Sequence, residues 1–102
     1  MNLYDYDIPK EKHEILTELL SHKNVTINRI VSSSLEDGEW YDQNDDEWLI
    51  LLEGEAVIAF EESEKHLQDG ETFFIPAHQR HHVKNTSEKA LWLTVHIASP
   101  EC

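Results

Sequence analysis

The chain has 102 residues, enough for one domain with its own hydrophobic core. It carries 21 acidic against 8 basic residues, a formal net charge of −13. Such a chain repels phosphate backbones and anionic lipid, so nucleic acid and membrane surfaces are poor partners and a bound cation or cationic partner fits better. The one cysteine, Cys102, allows no intramolecular disulfide and no thiolate metal cluster. The first residues show no basic start and no apolar core of a signal peptide. The longest apolar run, Trp48–Leu52, is about five residues, far short of a membrane span. A reducing cytoplasm is the expected compartment.

In chain order, Lys10–Ser21 reads as a helix. Ile15, Leu16, Leu19 and Leu20 recur at helical spacing, and Pro9 suits the first turn. Residues 1–24 are therefore expected to be a short helical extension packed on a body formed by residues 25–102. Val25–Ser33 is β-branched and reads as a strand. The stretch Gly38–Glu55 holds seven acids and no Lys, Arg or His, and it reads as an acidic loop feeding a buried strand at Trp48–Leu52. Ala56–Phe60 follows as a second strand, and the pair predicts a hairpin with Gly54 in the turn. Glu61–Lys65 is a polar corner, and His66–Gly70 is a turn centred on Asp69-Gly70. Thr72–Ile75 is a short strand stopped by Pro76. His82–Asn85 starts another, Asn85–Lys89 turns, and Ala90–Ala98 is the last long strand. Short strands at this spacing predict an all-β sandwich or barrel with one leading helix.

The stretch Gly70–Asn85 carries a pattern. Gly70 is followed after five residues by Pro76, His81 follows Pro76 after four more, and Asn85 follows His81 after three. A glycine turn starts a strand, proline ends it at a bend, and the returning strand carries an imidazole toward the interior. This spacing resembles the second motif of the cupin superfamily, except that His78 stands where that motif has glycine. The acidic stretch resembles the second half of the first cupin motif, through Glu47 and Gly54 at the expected separation. Trp40 and Asp42 occupy the places of that motif's two histidines. The resemblance implies a single small jelly-roll barrel, often a homodimer, with the Val25–Ser33 strand or the apolar helix face as contact elements.

The resemblance also implies a cavity faced by Glu47 and His81, with Asp42 beside them. Imidazole and carboxylate suit a divalent ion such as Fe, Zn, Mn or Ni. Asp42 can ligate through oxygen, and Trp40 cannot ligate at all. A metal needs three or more ligands, and His78, at the bend before His81, is a further candidate. Strand parity sets His81 and His82 on opposite faces, so they are not both ligands. His96 shares a face with Trp92 and Thr94, and either face of that strand is free to line the cavity. Trp40 and Tyr41 sit in a polar loop at the expected cavity mouth, where they are candidates to stack on a ligand. Arg80 lies near the mouth, to pair with an anionic ligand group or with one of the surrounding acids. Asp45 and Asp46 read as solvated loop acids.

Two functions follow from the resemblance. One is a divalent-metal enzyme acting on a small molecule, of oxygenase, isomerase or decarboxylase type, with Glu47 and His81 as catalytic groups. The other is a metal-free barrel that binds or senses a small ligand such as a carbohydrate. In that case Glu47 and His81 form a carboxylate–imidazole pair able to move a proton unaided.

Overall fold

The computed structural model describes residues 1–99, so Cys102 lies outside the described residues. Eight strands follow one another: β1 (His13–His22), β2 (Val25–Ser33), β3 (Asp46–Glu53), β4 (Glu55–Phe60), β5 (Glu64–Gln68), β6 (Glu71–Ile75), β7 (His81–Thr86) and β8 (Ala90–Ile97). They form two sheets, one of five strands in the order β1-β2-β8-β3-β6 and one of three in the order β5-β4-β7. The pairings between neighbours are antiparallel. The sheets enclose a core of Leu49, Leu51, Ala56, Ile58, Leu67, Ile75, Ala90 and Trp92. Among the described residues no helix is long and apolar enough to cross a membrane.

The helix expected at Lys10–Ser21 is instead the strand β1, which pairs with β2 from His13↔Ser33 to His22↔Val25. The doublets Ile15-Leu16 and Leu19-Leu20 fit a helical stripe, but a helix of that length is marginal without a packed partner. The β-branched β2 supplies a ladder instead. A two-residue link, Lys23-Asn24, joins the two strands, with Lys23 in the left-handed region at φ 54°. β1 is the outer strand of the large sheet and leaves Ile15, Leu16 and Leu20 exposed. The N-terminal segment before it is tied to the sheet by Arg29, whose guanidinium donates to the Asp5 carbonyl at 3.0 Å and the Leu3 carbonyl at 3.3 Å.

The hairpin expected at Trp48–Phe60 is also replaced. β3 and β4 lie in different sheets, with Gly54 alone between them. One residue is too short for the two-residue turn that an antiparallel hairpin needs, so the chain turns a corner and crosses from one sheet to the other. Gly54 takes φ 104°, and a Cβ there would meet the Lys89 carbonyl, with Ser87 Oγ at 2.7 Å and Ala90 Cα at 3.1 Å. Its N–H donates to the Asp69 carboxylate at 2.6 Å. The corner thus brings the Asp69-Gly70 turn and the β7–β8 turn against the same backbone.

Candidate functional site

A cavity of about 580 Å³ opens between the sheets. Its apolar walls include Ile30, Leu49, Ile58, Ile75 and Trp92, and its polar lining includes Tyr41, Gln43, Glu47, His81, Thr94 and His96. Strand parity explains this lining. Trp92, Thr94 and His96 alternate along β8, and all three face inward. Glu47, the second residue of β3, stands opposite His96 in the β3–β8 ladder, so their side chains share one face. His81, the first residue of β7, arrives from the other sheet. A strap holds it in place: the Tyr41 N–H donates to the His81 carbonyl at 2.7 Å, and the His81 N–H donates back to the Tyr41 carbonyl at 3.1 Å.

Glu47 is only 7% exposed and His81 6%. The Gln43 side-chain N–H donates to Glu47 Oε1 at 3.0 Å. His81 Nε2 lies 4.0 Å from Glu47 Oε1, and His96 Nε2 lies 3.9 Å from Glu47 Oε2. The far nitrogens define the tautomers. His81 Nδ1 is 2.9 Å from the Gln79 carbonyl, which only accepts, so Nδ1 carries the hydrogen. His96 Nδ1 is 3.4 Å from the Asp45 carboxylate, which orients that ring in the same way. In each neutral ring Nε2 is then an acceptor, about 4 Å from a Glu47 oxygen. A carboxylate and two imidazole lone pairs converge on one space, and all three are hydrogen-bond acceptors.

The surroundings add negative field. Burial pushes the Tyr41 phenol above its ordinary value, and the carboxylates of Glu14, Glu39 and Glu47 push it further. Glu14, beside the cavity on β1, is raised as well because surrounding protein displaces water from its carboxyl, with the Ser32 hydroxyl acting in the opposite sense. The Thr94 hydroxyl stands in the cavity-facing row of β8, in a residue 2% exposed, and has no hydrogen-bond partner.

The residues singled out in the sequence fall into three groups. Glu47, His81, His96 and Tyr41 line the cavity. Asp42 and His78 pair with each other at 3.0 Å in exposed positions outside it. His78 adopts φ 66°, the left-handed conformation that a glycine at that motif position would take without strain. Trp40 and Arg80 form a third group: Trp40 is 45% exposed and stacks on His82 at 4.3 Å, and the Arg80 guanidinium lies 5.1 Å from the Trp40 ring. Arg80 also meets Glu61 at 3.4 Å, so a surrounding acid holds it outside the cavity lining. Glu47, His81, Asp42 and His78 are therefore not gathered into one ligand set. Asp45, read as a solvated acid, orients His96 instead. Gln43 and Thr94 escaped the sequence reading. Parity placed Thr94 on the His96 face, but no sequence signal shows that its hydroxyl is unpaired.

The fit to a divalent metal is a matter of spacing. A metal about 2.1 Å from two donors at 90–109° sets those donors about 3.0 to 3.4 Å apart. The observed separations of 4.0 and 3.9 Å are wider. Among the described residues no group of three or more His, Cys, Asp or Glu side chains is arranged to hold a metal ion. The donor chemistry suits a metal and the geometry does not.

The family model described as "Cupin domain" matches residues 34–96. A solved "putative mannose-6-phosphate isomerase" from Ralstonia eutropha JMP134 is 35% identical, with 97% of each chain covered and a TM-score of 0.84. A cupin superfamily protein from Desulfitobacterium hafniense DCB-2 is 22% identical, with 89% of this chain and 83% of that one covered and a TM-score of 0.75. A "putative ethanolamine utilization protein q" from Salmonella typhimurium LT2 is 21% identical, covers 82% of this chain and 68% of that one, and has a TM-score of 0.71. The last two likenesses show the fold alone. Among curated proteins none matches the chain.

Proposed function

The chain belongs to the cupin family, and from that premise we propose that it binds a small molecule inside the barrel, on Glu47, His81 and His96. One observation carries this reading: a buried carboxylate faces two imidazole Nε2 atoms across about 4 Å of cavity, with Gln43 as its own hydrogen-bond donor. A cavity of about 580 Å³ with apolar walls and a few convergent polar groups is a typical small-ligand site. The same groups can move a proton. Glu47 takes one from one position of the ligand and returns it at another, or hands it to an imidazole Nε2 that returns it. That is the proton traffic of an isomerisation, the activity named for the 35% identical relative. Partners other than a small molecule, such as nucleic acid or membrane, are disfavoured by the charge of −13.

A second reading has the cavity hold Fe, Zn, Mn or Ni on Glu47, His81 and His96. Its support is the convergence of three lone-pair donors, and it requires the donors to close by about 0.5 Å or more to reach the spacing of neighbouring metal ligands. Metal analysis of untagged protein, before and after reconstitution, decides between the two. Stoichiometric metal that His81→Ala removes supports the metal reading, and metal at background after reconstitution sinks it. Ligand titration followed by amide resonances tests the first reading. Glu47→Gln is expected to abolish binding with the melting transition retained, and a collapsed fold would make Glu47 structural.

We propose in addition that a second copy pairs along β1, the exposed edge of the large sheet, as a cytoplasmic homodimer. The strand HEILTELLSH is close to a palindrome of polarity. Its free edge and the exposed Ile15, Leu16 and Leu20 are what a second copy would cover. β2, an expected contact element, is already paired on both sides, by β1 and β8.

A further inference from the structure

We infer that the cavity selects an organic cation, a ligand whose ammonium or guanidinium N–H groups donate to Glu47, His81 Nε2 and His96 Nε2. This rests on the cavity-binding reading and names the ligand class for it.

Hydrogen-bond polarity comes first. The innermost groups are acceptors, because each imidazole hydrogen is committed elsewhere, His81 to the Gln79 carbonyl and His96 to Asp45. The one amide donor beside them, Gln43 Nε2, is already bonded to Glu47. A ligand rich in acceptors, such as a phosphate or carboxylate, finds lone pairs facing lone pairs. A ligand rich in donors completes all three.

Spacing points the same way. An ammonium nitrogen about 2.8 Å from two acceptors holds them about 4 to 4.6 Å apart, with its N–H bonds modestly bent or straight. The 4.0 and 3.9 Å separations lie at the near end of that range, and they are wider than neighbouring donors at 90–109° around a metal.

The field agrees. Glu14, Glu36, Asp37 and Glu39 also border the cavity, and the one Lys or Arg lining it, Lys12, lies 3.9 Å from Glu36. Burial first, and then Glu14, Glu39 and Glu47, push the Tyr41 phenol upward in the same sense. An acidic rim alone is common on so acidic a chain. What marks a ligand site is the Thr94 hydroxyl, buried in the cavity-facing row of β8 with no partner. A buried unpaired hydroxyl is costly, so a group that keeps one has reason to pair with something bound.

The test uses the full chain and two size-matched trios: cyclohexylamine, cyclohexanol and cyclohexanecarboxylate, then mannosamine, mannose and mannose 6-phosphate. Amide resonances of Glu47, His81, Thr94 and His96 report binding at the cavity. The cation of at least one trio is expected to bind at least tenfold more tightly than its neutral partner, with the anion weakest. Glu47→Gln is expected to abolish binding of the cation with the melting transition retained. Binding of the neutral or anionic members as tight as the amines overturns the cation class and leaves the cavity reading standing. No shift at those residues with any of the six overturns both. A parallel titration with MnCl2 separates sources of positive charge: relaxation of these resonances at micromolar Mn, competing with the amines, assigns the site to a metal instead.

Discussion

Thr94→Val removes one oxygen from the cavity wall and replaces it with a methyl group. Thr94 is 2% exposed, so the new methyl remains buried, and the lost hydroxyl has no hydrogen-bond partner to abandon. A buried, unsatisfied hydroxyl costs about 1–3 kcal/mol of desolvation. Valine is β-branched like threonine and keeps the strand conformation of β8. The substitution should therefore stabilise the free protein by about 1 kcal/mol, or roughly 4–8 °C in Tm for a domain of this size. Calorimetry or urea unfolding of the ligand-free protein reads this directly, provided the transition is two-state. The same change should weaken ligand binding, because the hydroxyl is no longer there to pair. Loss of 1 kcal/mol or more of stability would refute the reasoning, since it would mean that the hydroxyl is satisfied in the free protein.

Three other outcomes are expected. Gly54→Ala should cost more than about 3 kcal/mol, because alanine at φ 104° adds a backbone penalty of about 1–2 kcal/mol to the clash with the Lys89 carbonyl. Gly70→Ala, at φ 82° with open space around its Cβ, should lose only that backbone penalty, and urea unfolding of the two variants gives the contrast. Tyr41 should ionise above the ordinary phenol value in an absorbance titration of a Tyr4→Phe/Tyr6→Phe background, and Glu39→Gln should bring it down. The folded state holds the Tyr41 proton more tightly than the unfolded chain, so this group contributes nothing below pH 10 and lowers stability as pH rises above it. Ile15→Lys with Leu20→Lys places like charges across the proposed β1–β1 contact. Sedimentation velocity should then show monomer where the parent shows dimer, and an unchanged sedimentation coefficient would remove β1 from the interface.

Much of the barrel was legible because its signals are short-range. Pro76 ends β6, Asp69-Gly70 makes a turn, and the β-branched run of β2 reads as a strand without help from elsewhere. Glu47 and His81 were found through motif spacing, which reflects strand lengths and bends and so survives in one dimension. The failures share a cause. The Ile15-Leu16 and Leu19-Leu20 doublets suit a helix as well as a strand, and only pairing with β2 decides between them. Gly54 looks like a hairpin turn until the partners of β3 and β4 are known. Asp42 and His78 sit at the expected motif places, yet the left-handed bend at His78 belongs to a pair on the outside of the barrel. Asp45 reads as a solvated acid because its partner, His96, is 51 residues away.

The cavity's hydrogen-bond polarity turns on which nitrogen of each imidazole carries the hydrogen. Long-range ¹H–¹⁵N spectra of protein labelled at histidine, recorded well above the ordinary imidazole range of about 6.5, read this for His81 and His96 separately. The predicted result is the Nδ1–H tautomer in both, with unprotonated Nε2 atoms facing Glu47. Hydrogen on Nε2 of either ring would contradict it, because that ring would then donate to Glu47 and the cavity would no longer present three converging acceptors.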